Sequence, residues 1–562
     1  LTCLLSQQKI HFLAYEQGNL NRLRLAVKCH SSIDSLVRLS RDQLSLISDV
    51  GTAVEKSRKD YNYSMVAALK LYAETGAQKD LITAWEIIAF QKSNLLSRYL
   101  NGATLADALN VPKEIVDRKA ELELRLIQLE GEAGTATGKE YQDKVDSIIM
   151  TSNQVKAINE QLALDYPKLD NALRGRVRLD FKSAIKKIPE DAAVIEYFIG
   201  EDSIYAYALH REGIDVRSLE LIKDLQEKVT EVVTDNTLAE SLYDRLLADI
   251  LTDLPASVNR LQIIPDGILW NLPFSALSDR GRFLIFDYAI SYAYSAGLLF
   301  DEKLRAEVKN ALSDFAGFGL SYDAIIKDIQ STDTRSSSDR TLLKLAGLPY
   351  AREEVATIGK LTNGDTWLDE DATKQHFLDA IPGHQQFHLA MHGLTDPENP
   401  MENALVFAAD DPQEKYALFT TREILAQKIP ARLAVLSACH TGAGPLESSE
   451  GIQSMARAFT FSGVKATLAS RWEASDKVTH DIIIRFYQEL EKGEPLDRAQ
   501  QIATIAYLNQ ASPADQRPEL WANLSLTGFT EPIHGSINWR WFGMGVVILG
   551  LFGYAFTRFF KV

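Results

Sequence analysis

Residues 387–393 read FHLAMHG, and residues 433–444 read LAVLSACHTGAG. Each stretch opens with an apolar run of strand length and ends at a reactive side chain, His392 in the first and Cys439 in the second. Runs this apolar are typical of parallel strands buried on both faces, and ligands bind at the carboxyl ends of such strands. Neighbouring strands lie ~4.8 Å apart, so we expect both side chains to face one crevice if these two strands are neighbours.

The pairing of these two side chains has a specific chemistry. An imidazole beside a thiol lowers the pKa of the thiol and yields a thiolate at neutral pH. The sequence thus predicts Cys439 as a nucleophile for acyl transfer, His392 as its base, and the backbone N–H groups of Gly393 and Cys439 as donors to the oxyanion. The alternative is that Cys439 only packs, because a cysteine that ends an apolar strand is usually part of a core.

Strands and helices alternate on either side of these stretches, over residues 340–530. Thr420 and Glu423 have the spacing of a capping box, which predicts a helix from there through Lys428. The alternation predicts parallel strands with right-handed crossovers. Strands are expected at 387–391, 404–410, 433–438 and 464–470, and further helices at 372–380, 450–462, 476–492 and 496–509.

The chain upstream divides into a β-rich part and a helical part. From about residue 188, runs such as AAVIEYFIG and SIYAYALH predict strands, and Glu201-Asp202 between them predicts a hairpin. Residues 1 to about 180 are poor in glycine and proline and have apolar residues at helical spacing. Two antiparallel helices are expected between residues 61 and 100, with a turn at Gly76 and Asp80 as an N-cap. Helix pairs of this kind build repeat proteins, although no second copy recurs at a fixed period.

Three histidines at a spacing of four, His384, His388 and His392, raise the question of a metal site. On a helix they would form one row, but Pro382 and Gly383 open the stretch and FHLAM has the pattern of a strand. Residues four apart on a strand lie ~13 Å apart and cannot hold one ion. We therefore predict no metal and no cofactor.

Several motifs together resemble the CHAT domain, a caspase-like fold that is usually preceded by tetratricopeptide repeats. They are FHLAMHG, LSACHTGAG, EGIQSMARAFTFSGVKATLASRW (450–472), WANLSLTGF (521–529), PDGILWNLPFSAL (265–277) and LPYAREEV (348–355). The resemblance covers roughly 185–532 and implies a cysteine peptidase with a His–Cys dyad at His392 and Cys439. It also implies a pseudo-caspase half at 185–335 and a half carrying the dyad at 340–532. His440 departs from the family's motif.

Three acidic residues are candidates for a pocket that binds a basic P1 side chain, as in several relatives of this peptidase clan: Asp266, Glu450 and Asp476. Each has a simpler explanation. Asp266 lies in a Pro-Asp-Gly turn, where aspartate stabilises its own backbone, and the other two stand where helices are expected to begin, where acids usually cap.

The composition limits the function classes. The chain has 562 residues with 46% apolar and 24% charged residues, which are ordinary values for a globular protein of two or three domains. A net charge of −16 argues against a nucleic-acid-binding chain. Three cysteines cannot form a disulfide framework, and a chain that starts at Leu1 instead of Met is expected to be a processed form or a fragment.

The last segment predicts a membrane anchor. Residues 541–557 carry no charge, Arg540 precedes them, and Arg558 and Lys561 follow, with aromatic residues at both ends. Seventeen residues span roughly 26 Å as a helix, so we expect a single-pass transmembrane segment within 539–560. A buried core helix is the alternative. The flanking charges leave the side of the membrane that holds the catalytic domain undecided.

The predicted fold is therefore an N-terminal α-helical repeat-like region (1–180), a caspase-like α/β domain with a mostly parallel sheet (185–532) and a C-terminal transmembrane helix. The predicted function is a cysteine endopeptidase that cleaves a protein partner, is regulated or targeted through the helices and is anchored to a membrane. A non-catalytic scaffold that binds proteins through both regions is the alternative, and a ligand-sensing signalling module fits either. We also expect a chain beginning near residue 185 to fold alone.

Overall fold

The computed structural model describes most of the chain up to residue 533. The described residues are 2–17, 19–43, 47–89, 92, 111–112, scattered positions in 114–129, 138–166, 179–305, 313–331, 343, 348–396, 400–411, 413–437, 446–447, 451–452, 454–472 and 475–533.

The chain begins with helices, and a large sheet with covering helices follows. The first helices are α1 (Thr2–Leu13), α2 (Leu20–Gln43), α3 (Ile47–Thr75), α4 (Gln78–Ala89), α5 (Gly138–Asp165) and α6 (Phe181–Lys187). The later helices are α7 (Leu225–Glu231), α8 (Asn236–Tyr243), α9 (Ala296–Leu299), α10 (Glu302–Arg305), α11 (Asp323–Ser331), α12 (Ala351–Thr362), α13 (Lys374–Ala380), α14 (Thr421–Leu425), α15 (Met455–Phe461), α16 (Asp476–Leu490), α17 (Leu496–Leu508) and α18 (Pro518–Trp521). Helix α8 continues through a π turn (Asp244–Ala248) and one more turn (Asp249–Leu251).

The strands fall into one large sheet and three small ones within the described residues. In chain order they are β1 (Ala192–Ile199), β2 (Ser203–His210), β3 (Gly213–Glu220), β4 (Arg260–Ile264), β5 (Ser278–Asp279), β6 (Arg282–Phe283), β7 (Ala289–Tyr292), β8 (Ser313–Gly319), β9 (Asp365–Leu368), β10 (His384–Ala390), β11 (Gly393–Leu394), β12 (Ala404–Phe407), β13 (Ala417–Thr420), β14 (Leu433–Leu436), β15 (Leu446–Glu447), β16 (Gly451–Ile452), β17 (Ala466–Ser470) and β18 (Leu524–Gly528).

The large sheet has eleven described strands in the order β3-β2-β1-β4-β7-β18-β17-β14-β10-β8-β9. The β1–β2 hairpin is antiparallel, as are the β2–β3 and β17–β18 pairs, and the other neighbouring pairs in this described sheet are parallel. The prediction of a mostly parallel sheet is therefore confirmed. Strand β8 lies between β10 and β9, next to the strand that leads to His392.

One predicted strand belongs to a different sheet. The run at 404–410 was expected in the parallel series, but β12 pairs antiparallel with β11 and β13 in a separate three-stranded sheet. The reason is the length of the connection, because a parallel pair needs a crossover of about a dozen residues or more and β11 is joined to β12 by fewer. The predicted capping box is present, since Thr420 N–H donates to Glu423 and Glu423 N–H donates to Thr420. The helix it opens ends at Leu425 and not at Lys428.

Apolar side chains cover both faces of the half that contains β10. Phe387 and Leu389 of β10 point to one face, in a cluster with Phe318, Phe377 and Phe407. Phe315 of β8 lies on the other face, in a cluster with Tyr487 of α16 and Ala499 of α17. Strand β10 therefore lies in the centre of a core, which restricts how His392 at its end can move.

The N-terminal helices pack directly on the first half of the sheet. The turn between α3 and α4 lies at Gly76, as predicted, with a left-handed φ of 64°. Helix α4 begins at Gln78, so Asp80 lies in its first turn and is not the N-cap, contrary to the prediction. Trp85 and Ile88 of α4 share a buried cluster with Val194 and Tyr207 of the sheet.

Buried polar contacts join α4 to strand β1. Glu196 on β1 is fully buried and accepts a hydrogen bond of 2.8 Å from Nε1 of Trp85. Nζ of Lys92 lies 3.5 Å from the other carboxylate oxygen of Glu196 and donates to the carbonyl oxygens of Tyr197 and, at 3.3 Å, Pro265. Burial raises the pKa of Glu196, and the contacts with Lys92 and Trp85 offset part of that rise. This cluster couples the helices to the ends of β1 and β4.

No helix in the described part of the chain is both long and apolar enough to cross a bilayer. The segment predicted to do so, 541–557, lies outside the described residues.

Candidate active site

The two strands that end near His392 and Cys439 are neighbours, as the sequence required for a shared site. Strand β10 pairs in parallel with β14, and Leu389 stands beside Leu436. His392 follows Leu389 by three residues, and Cys439 follows Leu436 by three residues. Both residues therefore follow the paired residues at the same separation in the sequence. Cys439 itself, with His440 and the residues after it as far as 445, lies outside the described residues.

His392 is buried, with 3% of its surface exposed. Its backbone is held on both sides: His392 N–H donates to the hydroxyl of Tyr322 at 2.8 Å, and Val406 N–H donates to the carbonyl of His392 at 3.0 Å. The ring of Tyr322 also lies against the imidazole, with 4.4 Å between centroids and 45° between planes. The backbone that carries the candidate base is thus fixed by two neighbouring segments.

Gly393, the predicted oxyanion donor next to His392, is buried and begins β11. It stands opposite Leu405 in the three-stranded sheet. A glycine there places a backbone N–H directly beyond the candidate base without a side chain in the way. The second predicted donor, the N–H of Cys439, lies outside the described residues.

A buried carboxylate supports the same strand four residues before His392. Glu354 of α12 places Oε1 2.8 Å from Nε2 of His388, and the two side chains are 3% and 0% exposed. His480 of α16 places Nδ1 3.6 Å from the other carboxylate oxygen. The hydroxyl of Tyr487 lies 3.4 Å from Nδ1 of His388. Two helices thus contact β10 through polar groups inside an otherwise apolar core.

The three histidines at a spacing of four have different surroundings. His384 contacts the carboxylate of Asp365 at 3.0 Å and the carbonyl of Ala380 at 2.8 Å, and His388 contacts Glu354. Because FHLAM is part of a strand, the three side chains do not form the row that a helix would give. Within the described residues, no group of three or more histidine, cysteine, aspartate or glutamate side chains has the arrangement of a metal site.

Asp266, one of the three candidate pocket acids, is not brought to this site. It follows β4, which is five strand spacings from β10, or about 24 Å at the usual spacing. Its buried carboxylate accepts a hydrogen bond of 2.6 Å from the N–H of Ile199. The residue therefore connects the ends of β1 and β4 in the first half of the sheet, in agreement with the simpler explanation of a residue that stabilises the backbone.

Asp476 does lie close to the network behind β10. It begins α16 and accepts a hydrogen bond of 3.3 Å from the N–H of Tyr350, just before α12. Burial raises its pKa, Glu354 raises it further, and the bond from Tyr350 and the proximity of His480 oppose the rise. Glu450, the third candidate, lies outside the described residues.

Sequence reasoning missed Tyr322, Glu354 and Tyr487. Glu354 belongs to the motif LPYAREEV. Its position on a helix does not indicate a contact with His388, which lies 34 residues later on a strand. Tyr322 follows β8 and reaches His392 across 70 residues, and no local pattern indicates that contact. A buried tyrosine or carboxylate beside a predicted active strand is the only signal, and it requires the strand order to be known.

Comparison with known proteins gives one family. A model of the CHAT domain matches residues 236–529, which is more than half of the chain. No curated protein sequence matches the chain significantly.

Similar solved structures include two of the separase–securin complex from Saccharomyces cerevisiae. They are 10% and 11% identical to this chain, cover 91% and 94% of it, and have TM-scores of 0.47 and 0.45. The chain spans only 37% and 40% of those chains. The Arg-specific cysteine proteinase gingipain R is 10% identical, with coverage of 56% of this chain and 76% of the other and a TM-score of 0.34.

Proposed function

The chain belongs to the CHAT domain family, and on that premise we propose that it is a cysteine endopeptidase of the caspase-like type. Cys439 is the nucleophile, His392 is its base, and a protein partner is the substrate. The observation that supports the proposal is the parallel pairing of β10 with β14, in which Leu389 stands beside Leu436. His392 and Cys439 each follow those paired residues by three positions in the sequence.

The reaction follows from the chemistry of the two side chains. His392 takes the proton of the Cys439 thiol, and the thiolate attacks the scissile carbonyl carbon. The backbone N–H groups of Gly393 and Cys439 stabilise the oxyanion of the tetrahedral intermediate. The protonated imidazole then gives its proton to the leaving amine as the C–N bond breaks. Water hydrolyses the resulting thioester and restores the thiol.

The fixed backbone of His392 supports its role as base. The contacts of its backbone with Tyr322 and Val406 limit the motion of the ring relative to the end of β14. A base held in the right geometry beside its nucleophile lowers the barrier to reaction.

Labelling of the thiol tests the dyad directly. The full chain is treated with iodoacetamide at a series of pH values, and mass spectrometry of peptides follows Cys439 separately from Cys29. We expect Cys439 to react below the usual thiol pKa of ~8.5 and His392→Ala to abolish that reactivity. Burial raises the pKa of Cys29, which therefore serves as an internal reference that should react only at higher pH than Cys439.

A matched control uses another histidine of the same strand. His384 is bound to Asp365 and Ala380 at the opposite end of β10, so His384→Ala should leave the labelling of Cys439 unchanged. Equal labelling of Cys439 in the parent and His392→Ala chains would refute the proposed His392–Cys439 dyad and favour the non-catalytic scaffold. A peptide library cleaved by the parent chain but not by Cys439→Ala would establish the peptidase.

We also propose that the pocket for the P1 side chain uses an acid from the second half of the sheet, Asp476 or Glu450. Asp476 is favoured by its place at the start of α16, beside the network behind β10. Substrates with Arg and Asp at P1 are compared on the parent, Asp476→Asn and Glu450→Gln chains. A selective rise in KM for the Arg substrate identifies the acid, and no change in either variant refutes the proposal.

The N-terminal helices are proposed to receive a regulatory protein or the substrate. Trp85 and Lys92 contact Glu196 in the first half of the sheet. A partner that moves the helices would therefore also move the groups that contact strand β1.

A further inference from the structure

We propose that Tyr322 is a positioning residue for the candidate base: its hydroxyl bridges the backbones of His392 and Val406 and fixes the imidazole in its reactive orientation. The inference rests on the proposed function, because it assigns a role in the activation of Cys439.

The first step is the pairing of the two backbones. Gly393 stands opposite Leu405 and Leu394 opposite Ala404, so His392 stands opposite Val406. In an antiparallel pair, opposite residues of the hydrogen-bonded type exchange two N–H···O bonds. Here one bond is direct, from Val406 N–H to the carbonyl of His392 at 3.0 Å. The second is replaced by a relay through Tyr322.

The relay uses both hydrogen-bonding capacities of the phenol. The hydroxyl of Tyr322 accepts from His392 N–H at 2.8 Å and donates to the carbonyl of Val406 at 2.5 Å. The oxygen therefore stands between two strands that would otherwise bond directly at this point. It sets the spacing and the tilt of the peptide unit that carries the base.

The aromatic ring makes a second contact with the same residue. Its centroid lies 4.4 Å from that of the imidazole. The side chain of Tyr322 is 1% exposed, so the relay is shielded from solvent. Burial also raises the pKa of Tyr322, which keeps the hydroxyl protonated and able to donate at physiological pH.

The backbone of Tyr322 is itself unusual. Its φ is 67°, in the left-handed region that non-glycine residues rarely adopt. Such a conformation persists only where surrounding contacts impose it, and it occurs preferentially at functional sites. The contacts here come from the same neighbourhood: Leu320 N–H donates to the carbonyl of Ala390 at 3.2 Å, and Ser321 N–H donates to Asp369 at 3.3 Å. The turn after β8 is thus bound to β10 and aims the phenol at His392.

A purely structural role for the ring is separable from the role of the hydroxyl. Tyr322→Phe keeps the ring and removes the relay. A matched control is Tyr197→Phe, because Tyr197 is also fully buried and its hydroxyl donates to a backbone carbonyl, that of Leu246, at 3.0 Å. Tyr197 lies on β1, six strand spacings from β10 in the sheet order, so it has no contact with the site.

The test measures the rate of alkylation of Cys439 by iodoacetamide against pH in the full chain, for the parent, Tyr322→Phe, Tyr197→Phe and His392→Ala. We expect Tyr322→Phe to lower the rate at pH 6–7 by on the order of ten- to a hundredfold and to move the midpoint of the profile toward that of His392→Ala. Tyr197→Phe should keep the parent profile. Incorporation of 4-aminophenylalanine at position 322, which can donate and accept, should restore the rate.

The outcomes separate the two proposals. The positioning role is overturned, and the dyad stands, if Tyr322→Phe keeps the parent pH profile of alkylation while His392→Ala loses the reaction at pH 6–7. An equal effect of Tyr197→Phe, or no rescue by 4-aminophenylalanine, overturns it as well. Identical profiles in the parent and His392→Ala chains overturn the proposed function and this inference with it. If Tyr322→Phe melts below the assay temperature, 4-fluorophenylalanine, which fills the space of the hydroxyl without donating, replaces it.

Discussion

The carboxylate of Glu354 lies 2.8 Å from Nε2 of His388, and both side chains are buried beneath the sheet. His388 belongs to β10, four residues before His392. The strand that ends at the candidate base is therefore bound to α12 by a polar contact inside an apolar core, where both partners are shielded from water. Such a contact is costly to break, because the partner that remains is left buried.

Removal of either partner should destabilise the protein strongly. We expect Glu354→Ala or His388→Ala to lower the free energy of unfolding by about 3–5 kcal/mol, and the double variant to lose less than the sum of the two. Urea unfolding of the four chains gives the coupling energy. Glu353→Ala, on the same helix but exposed, is the control and should change stability by less than about 0.5 kcal/mol. Strictly additive losses would show that the contact is not an energetic pair.

The buried Glu196 predicts a specific dependence of stability on pH. Its pKa in the folded chain is raised from 4.5, because burial disfavours the charged form. The unfolded chain therefore releases this proton first as the pH rises, so the contribution to stability is complete below about 4.5 and is lost as the pH passes through the raised pKa of the folded state.

Comparison with Glu196→Gln isolates this contribution. The amide keeps an acceptor for Trp85 but does not titrate, so the parent should lose stability relative to Glu196→Gln between pH 4.5 and 7, by about 1.4 kcal/mol for each unit of pKa shift. Glu220→Gln, at an exposed position of β3, is the control for loss of a surface charge. If the parent instead gains stability relative to Glu196→Gln over this range, the pKa of Glu196 is not raised in the folded chain.

Much of the half of the sheet that carries His392 could be predicted because its signals are local. The apolar runs that become β10 and β14, the capping box at Thr420 and the helices that begin near Lys374 and Asp476 depend on residues within one element. Periodicity and capping are encoded within a few residues. That β10 and β14 are neighbours was only a condition of the sequence prediction, because strand order is not encoded within one element; the structure supplies the pairing.

The features that the sequence did not predict depend on contacts between residues that are far apart in the chain. A four-residue apolar run such as β12 fits any sheet, and only its short connection to β11 reveals the antiparallel pairing. Asp266 could not be separated from the site without the strand order, which puts β7, β18, β17 and β14 between it and β10. The contact of Tyr322 with His392 depends on a left-handed backbone that the sequence does not indicate.

The terminal segment carries a prediction of its own, which concerns residues outside the described part of the chain. The run 541–557 is uncharged and is flanked by Arg540, Arg558 and Lys561. We expect the chain to stay with membranes after alkaline carbonate extraction and a chain without 539–562 to be soluble. Val547→Lys places a charge near the centre of the run, which costs about 2.5–3.5 kcal/mol for insertion, and should weaken the association. A scrambled 541–557 is the control for composition. Recovery of the parent chain in the soluble fraction would refute the anchor.

The helices and the first half of the sheet are expected to fold as one unit, which reverses the expectation that a chain starting near residue 185 folds alone. Tyr61, Trp85 and Ile88 cover Val194 and Tyr207 of the sheet, and removal of residues 1–180 would expose that face to water. We expect the truncated chain to bind a hydrophobic dye and to unfold without a cooperative transition.

Substitutions in the full chain test the same interface without truncation. Trp85→Ala removes a fully buried side chain and a hydrogen bond to Glu196, and should lower the free energy of unfolding by about 3–5 kcal/mol. Tyr141→Ala, on α5 and 49% exposed, is the matched aromatic control and should have little effect. A soluble chain from residue 185 with a cooperative melt and native-like circular dichroism would contradict this prediction. It would mean that the first half of the sheet is stable with one face uncovered, and that the helices are bound to it as a detachable domain.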